Sequence, residues 1–586
     1  MTKSKRLDKF AIAAALQDIA ALLELKGGKD RFKARAYQAG ARVVAGLSED
    51  VGEVVLENRL TSMPGIGGGL ASQIEQLYLT GESPVLVGLK QEFPKGILEL
   101  SALPGLSVSK IRTLHETLGI ASIADLKAAA EAGKIRSIQG FGAKTEQKIL
   151  ETIADSRKRS KDNRILLHRA LETATHLVDY LKTEKDVLQV SFAGSLRRWK
   201  ETIGTIRLVA NTKRPATLIQ HFLKYPQIVE VIEQMEEACT VRFVEGARVS
   251  VVAARPEEFG LALLTETGSR AHVNKLQQIA NGEGPKANHG KADKRPKQRK
   301  RTARSSELQG EEGIYEQLGM DYIPPELRED EGEIEAALGR KLPEDLVTLA
   351  DIRGMVHCHT TYSDGKNTLE EMVRAAEAMG MKYITITDHS PTAFYAHGVE
   401  LDRLKRQWAE IDEVQEKVKI KILRGTESDI VADGRLDYPD KILEKFDVIV
   451  ASIHSRYKMD SAKMTQRIVT AMQNPVFKIW GHALGRKLLI RPPFDCDVEK
   501  ILDVIAESRA AIEVNGDPNR LDMEPRWIRE ARKRKIKFVI SVDAHSTGAF
   551  QYLKYGVATA RRGWVRKSEV LNTLGATAFQ KAVKPA

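Results

Sequence analysis

The stretch from Gly354 to Ser390 reads GMVHCHTTYSDGKNTLEEMVRAAEAMGMKYITITDHS. A short apolar run ends in two histidines, a polar turn leads into a helical pattern, and a second apolar run ends in Asp388 and His389. The helix start carries Thr368 and Glu371 at capping-box spacing. This is a strand–helix–strand unit, and it recurs. The runs KILRGTESDI, FDVIVASIHS, FKIWGHALGR, AAIEVNGDP and FVISVDAHS follow, separated by helical stretches such as EPRWIREARKRK. Such alternation predicts parallel βα units, in a barrel or a doubly wound sheet, over residues 345–575.

Histidines and carboxylates collect where the strands of this region end. His357 and His359 are two apart and so share one face of a strand. Asp364 follows in the loop, then Asp388 and His389, Glu427, His454, His482, and finally Asp543 and His545. In a barrel the strand C-termini converge on the mouth, so residues scattered along the chain become one cluster. A single histidine at a strand end is usually a hydrogen-bonded structural residue. Six, interleaved with carboxylates, point to metal. Mixed imidazole and carboxylate donors suit Zn, Mn or Fe, and the donors outnumber the needs of one ion, which predicts two to three divalent ions, with Mn or Zn favoured. Ions so grouped suit phosphate-ester hydrolysis. Arg456, Arg486 and Arg491 follow the ligand strands, and the guanidinium fork matches a phosphate.

These motifs resemble those of the PHP (polymerase and histidinol phosphatase) family, whose fold is a distorted barrel, here a (βα)7 barrel. The resemblance implies a trinuclear site of His357, His359, Asp364, His389, Glu427, His454, His482, Asp543 and His545, with manganese or zinc, and with Glu427 bridging two ions. Of these it assigns catalysis to His357, His359, Glu427, His454, Asp543 and His545. The sequence departs from the polymerase-linked members at "HAL" after Gly481, where a proline and a threonine are usual.

Upstream, residues 1–155 are rich in helix formers broken by glycine turns, which predicts an all-α domain. Three turns are alike: MPGIGGGLASQI from Met63, LPGLSVSKI from Leu103 and IQGFGAKTEQKI from Ile138. Paired glycines allow positive φ and expose backbone N–H groups at a helix start, a ready seat for a phosphate oxygen. The turns resemble the helix-hairpin-helix family, which holds the DNA backbone without reading sequence. Gly65, Gly67, Gly140, Gly142 and Lys144 carry this expectation, while the middle copy has Ser107 in place of its second glycine.

Residues 160–325 mix strands and helices. The strands VLQVSFAGS, TIRLVAN and ARVSVVAA precede a basic segment, residues 281–306, that is too polar to bury a core and predicts a tether. The order of modules is similar to that of bacterial and archaeal family X DNA polymerases, which implies a nucleotidyltransferase-like palm and thumb. That family places a glycine-serine pair before a strand with two aspartates, and a third aspartate on a later strand. Here Gly194 and Ser195 stand, but the three positions hold Thr205, Arg207 and Ser250. A hard divalent ion needs anionic oxygens. A fixed cation a few ångströms away repels it by several kcal/mol even at an effective dielectric of about 20. Thr265 and Glu266 also stand where the family has tyrosine and phenylalanine before its Thr-Gly-Ser. Nucleotide addition is therefore expected to be absent, and the module to serve as a DNA-positioning platform.

Composition agrees with a nucleic-acid partner. The 586 residues suggest roughly three to four domains, and the formal charge is +12. Three cysteines in no metal or disulfide spacing fit a reducing, cytoplasmic setting, and no apolar run approaches the roughly 20 residues of a membrane span. The reading is a multidomain α+β and α/β enzyme, a monomer that acts on DNA with little sequence specificity. Its expected reaction is metal-dependent 3′-5′ exonucleolysis, abasic-site incision or 3′-phosphate removal. The alternatives are a polymerase with residual nucleotidyl transfer, a small-molecule phosphatase of the histidinol-phosphatase type, and a non-catalytic DNA-binding scaffold.

Overall fold

The computed structural model describes residues 7–45, 47, 51–94, 96–101, 103, 106–161, 164–244, 246–283 and 310–585. The Pro104–Gly105 pair of the middle turn and most of the basic 281–306 segment lie outside these residues. Two compact units are present: the described residues of Met1–Ile165, Arg169–Ser191 and Gly204–Pro256, and those of Leu166–His168, Phe192–Ile203 and Glu257–Ala586. The palm strands cluster with the helical domain, the 257–325 segment clusters with the barrel, and the barrel's unit runs past residue 575, because Phe579 and Val583 are buried in it.

The first unit begins with the helix Lys9–Lys26, whose N-cap Asp8 accepts from the backbone N–H of Phe10 and Ala11, and which stops at Gly27 with φ 78°. Its Ile12, Leu16, Ile19 and Leu23 enter the core of the helical domain at three- and four-residue spacing. Among the described residues up to Lys161 the elements are all helical. A five-stranded sheet follows, built from β1 (Val187–Ala193), β2 (Thr205–Thr212), β3 (Ile228–Gln234), β4 (Ala238–Phe243) and β5 (Arg248–Ala254), in the order β1-β2-β5-β4-β3. The hairpin β3–β4 is not expected from the sequence, because β3 is an outer strand exposed at all but its first residue and so shows no buried apolar face of period two.

In the second unit all seven strands expected from the sequence form, as β6 (Gly354–Cys358), β7 (Tyr383–Ile386), β8 (Lys421–Asp429), β9 (Val448–Ser452), β10 (Lys478–Trp480), β11 (Ala510–Asn515) and β12 (Lys537–Ser541). They pair in sequence order, all parallel. Strands β6, β7, β9 and β10 are buried at every residue, as expected of strands covered on both faces. The sheet curls until its ends meet: Cys358 and Ala544 form a parallel bridge, with the His359 N–H donating to the Ala544 carbonyl (2.8 Å) and the Ala544 N–H to the His357 carbonyl (2.9 Å). The barrel is thus a nearly closed (βα)7 barrel. Closure itself brings the first histidine pair beside Asp543 and His545.

Candidate metal centre

All nine residues predicted as ligands lie together at the mouth. Glu427, the seventh residue of β8, is the hub. Its Oε1 is 3.2 Å from His357 Nε2, 3.2 Å from His454 Nε2 and 2.9 Å from His482 Nε2. Its Oε2 is 3.0 Å from His389 Nδ1 and 3.5 Å from His359 Nε2. Asp543 Oδ1 sits 3.4 Å from His357 Nε2 and 3.1 Å from His359 Nε2. At the more open edge, Asp364 Oδ1 lies 3.2 Å from His545 Nε2 and 3.6 Å from His389 Nε2.

The backbone is specialised here. The β6–β7 register is irregular between Met355 and Cys358, so His357 projects from a bulge and His359 from just beyond the strand end, rather than both from a regular strand. His357, His482 and Asp543 have φ of 66°, 26° and 53°. Such conformations cost on the order of 1–3 kcal/mol each and gather where surrounding structure over-determines them for function.

A metal is tested by what the donor atoms lack. His357 Nε2, His359 Nε2, His389 Nδ1, Glu427 Oε2 and Asp543 Oδ1 are buried without a hydrogen-bond partner. Three groups have donor atoms within 4.8 Å of one another: His359, Asp364, His389 and His545; His357, His359, Glu427 and Asp543; and His389, Glu427 and His454. Burial alone would raise the Glu427 carboxyl, but His454, His357 and His389 hold it well below the ordinary range. Burial would also lower His454, yet Glu427 and Asp429 raise it to about 10. His359 falls to about 3, through burial and the neighbouring His545 and His389. Ionised carboxylates facing imidazoles through orphaned atoms are a donor set for divalent cations.

Several residues were not legible from the sequence. Glu513 accepts from His357 Nδ1 (2.6 Å), from the His482 N–H, from Asn515 Nδ2 (3.1 Å) and from Ser541 Oγ. Asp429 accepts from His454 Nδ1. Each fixes the tautomer that turns Nε2 inward. Asp388, by contrast, turns away and accepts from Thr360, Ser363 and Gln407, holding the loop rather than an ion.

The three expected phosphate arginines part company. Arg486 is buried and donates to the carbonyls of Arg520 (2.9 Å) and Leu521, beside Glu524 (3.3 Å). That corrects its phosphate role to a structural one, since its donors are spent on the loop. Arg491 lies 3.8 Å over the Tyr457 ring and donates to the Gly485 carbonyl. Arg456 is exposed. The guanidinium that faces the cluster is instead Arg520, with Nη2 3.5 Å from Asp543 Oδ2 and with Nε and Nη1 making no hydrogen bond. A signal existed, since Arg520 shares "NGDPNRLD" with the end of β11.

In the first unit, Gly65 and Gly140 have φ of 94° and 88°, and Gly67 and Gly142 directly precede helices Gly68–Thr80 and Ala143–Lys161. All four glycines and Lys144 are exposed. At the middle turn Ser107 caps its own helix, accepting from the Lys110 N–H, so the group a phosphate would take is already served. In the sheet, Arg207 and Ser250 are cross-strand partners on β2 and β5, and Thr240 Oγ1 donates to Ser250 Oγ (3.2 Å).

Comparison with known proteins follows the same divisions. A DNA polymerase/3′-5′ exonuclease PolX of Bacillus subtilis is 32% identical over 572 residues, covering 97% of each chain. The chain belongs to the PolX family. Family models match a helix-hairpin-helix domain at 8–83, a tandem helix-hairpin-helix at 97–155, a DNA polymerase beta thumb at 262–329 and a PHP domain at 356–517. A probable phosphatase of Thermoanaerobacter sp. is 28% identical over 231 residues, 37% of this chain and 89% of its own. A probable phosphatase of Caldicellulosiruptor bescii is 31% identical over 170 residues, 27% of this chain and 63% of its own. The PolX-type chain is therefore a DNA-binding enzyme with a divalent-metal hydrolase domain. No helix among its described residues is long and apolar enough to cross a membrane.

Proposed function

We propose that this PolX-type protein is a metal-dependent 3′-5′ exonuclease whose chemistry resides in the PHP barrel and whose palm no longer adds nucleotides. The observation that carries the reading is the convergence of nine donor residues, five of which, His357, His359, His389, Glu427 and Asp543, present inward atoms buried without hydrogen-bond partners. Glu427 would be shared between ions, because both of its oxygens face imidazoles. When bound, two to three divalent ions, manganese or zinc, supply Lewis acidity toward the phosphoryl oxygens and activate water. Glu513 and Asp429 keep the imidazoles oriented, and Arg520 offers donors to a phosphate oxygen beside Asp543. The helix-hairpin-helix turns hold the strand by its backbone, through the N–H groups at the exposed helix starts that follow Gly67 and Gly142.

The loss of polymerase chemistry rests on Thr205, Arg207 and Ser250. The strand positions that must present carboxylates hold two hydroxyls and a cation, and Arg207 stands beside Ser250 in register. A second reading, removal of 3′-phosphates from DNA, is favoured by the likeness of the barrel to two probable phosphatases. One reaction tests both. A labelled primer–template is incubated with all four deoxynucleoside triphosphates and Mn, with a 3′-phosphorylated primer in parallel. Shortening without extension supports the proposal. Extension that survives His359→Ala would return the polymerase to the palm, and dephosphorylation without shortening would select the second reading.

A further inference from the structure

The loop between His389 and the helix Leu401–Gln415 carries Phe394 and Tyr395, which are 80% and 64% exposed. Neither takes part in the cluster, yet the Tyr395 ring centroid is 6.0 Å from that of His389 and 6.2 Å from that of His454. A stacked strand advances about 3.4 Å per nucleotide, so this ring is within about two nucleotides of a phosphate at the cluster.

The exposure belongs to a pinned loop. The Ala396 and Gly398 N–H groups donate to the Ala393 carbonyl (2.9 and 3.1 Å), and the Val399 N–H donates to the His389 carbonyl (2.8 Å). Arg403 donates to the His397 carbonyl (2.8 Å), and Ala393, Ala396 and Val399 are buried beneath. A Cβ on Gly398 would meet the Ser390 carbonyl oxygen at 2.1 Å, so that crossing admits only glycine. The backbone that carries these two adjacent aromatics is thus ordered before anything binds, and a flat partner can stack on them beside the donor cluster without the cost of ordering the loop.

We propose that Phe394 and Tyr395 form a nucleobase-stacking subsite that takes one of the two bases flanking the scissile phosphate. The inference rests on the nuclease reading above. Every base offers a π-face, so the subsite tolerates any sequence, and it requires a base to be present. It sets the register of the strand so that the phosphate next to the stacked base reaches the cluster.

The test uses the full-length protein with Mn and three single-stranded oligonucleotides: one ending in thymidines, one with an abasic tetrahydrofuran at the 3′ terminus, and one with it at the penultimate position. Wild type is expected to cleave the thymidine end on the order of tenfold faster in kcat/KM than one of the abasic ends. The Phe394→Ala/Tyr395→Ala variant should lose that preference while its rate on the abasic end is unchanged, and Tyr395→Phe should retain it. Equal cleavage of all three ends by wild type, or a preference that survives the double variant, overturns the subsite. So does an equal loss on every oligonucleotide, which would make the loop a support for the cluster. Resistance of all three oligonucleotides in wild type would instead overturn the nuclease reading, and the subsite with it.

Discussion

Glu513→Gln is the most exacting test of how the cluster is held. The carboxylate receives four hydrogen bonds, two on each oxygen: His357 Nδ1 and Ser541 Oγ on one, the His482 N–H and Asn515 Nδ2 on the other. An amide of the same shape can accept on one side only, so its NH2 must face a pair of donors on the other. Two hydrogen bonds to a charged group, each about 1.5–3 kcal/mol, are lost, and relaxation recovers part. The orphaned donors sit on His357 or beside His482, both of which face Glu427. Loss of such a supporting carboxylate typically weakens metal affinity or activity about 10–100-fold, which is about 1.4–2.8 kcal/mol. The assay is a Mn titration of oligonucleotide hydrolysis, with calorimetric Mn binding alongside. The midpoint should move to higher Mn by that factor, with activity partly restored at saturation. An unchanged midpoint and rate would refute the claim that Glu513 orients the ligands.

Further outcomes follow from other residues. Burial alone would raise the Glu201 carboxyl, but Arg562 and Arg486 lower it from 4.5 to about 2. Its folded pKa is depressed, so the stabilisation, about 3 kcal/mol, is fully present above pH 4.5 and is lost as pH falls toward 2. Glu201→Gln should lower the melting temperature at pH 7 and flatten its fall across that acid window, as followed by pH-dependent thermal unfolding. Lys144→Ala should weaken duplex binding at all sequences and reduce the slope of log K against log salt by about one, measured by fluorescence anisotropy. Gly140→Ala must hold φ near 88° with a Cβ that meets no neighbour. Its cost, about 1–2 kcal/mol, is therefore conformational and should appear as a destabilised helical domain and weaker DNA binding.

Much of the site was visible in the chain because barrel closure obeys a rule that sequence can carry: strand ends converge, so histidines and carboxylates at strand ends meet. The nine residues expected as ligands come together at the mouth by that rule. What lay hidden was which way a side chain turns. Asp388 adjoins His389 and reads like a ligand, but neighbouring residues at a strand end point to opposite sides, and its oxygens went to Thr360, Ser363 and Gln407. Arg486 follows a ligand strand just as a phosphate clamp would, yet the carbonyls of Arg520 and Leu521 claimed it. Glu513 sits inside β11 and opposite the His357 bulge, a pairing fixed only by the curl of the sheet. The β3–β4 hairpin stayed hidden because its outer strand needs no apolar face, and period alone then carries no signal.

The central claim, that the barrel rather than the palm carries the chemistry, is tested most directly by degradation of a labelled oligonucleotide with Mn, comparing wild type with His357→Ala. His357 Nε2 lies between Glu427 and Asp543, so its removal takes a shared donor from the most buried of the three groups. The account predicts loss of cleavage by at least about a hundredfold, with DNA binding by the helix-hairpin-helix domain retained. Cleavage at the wild-type rate would contradict it.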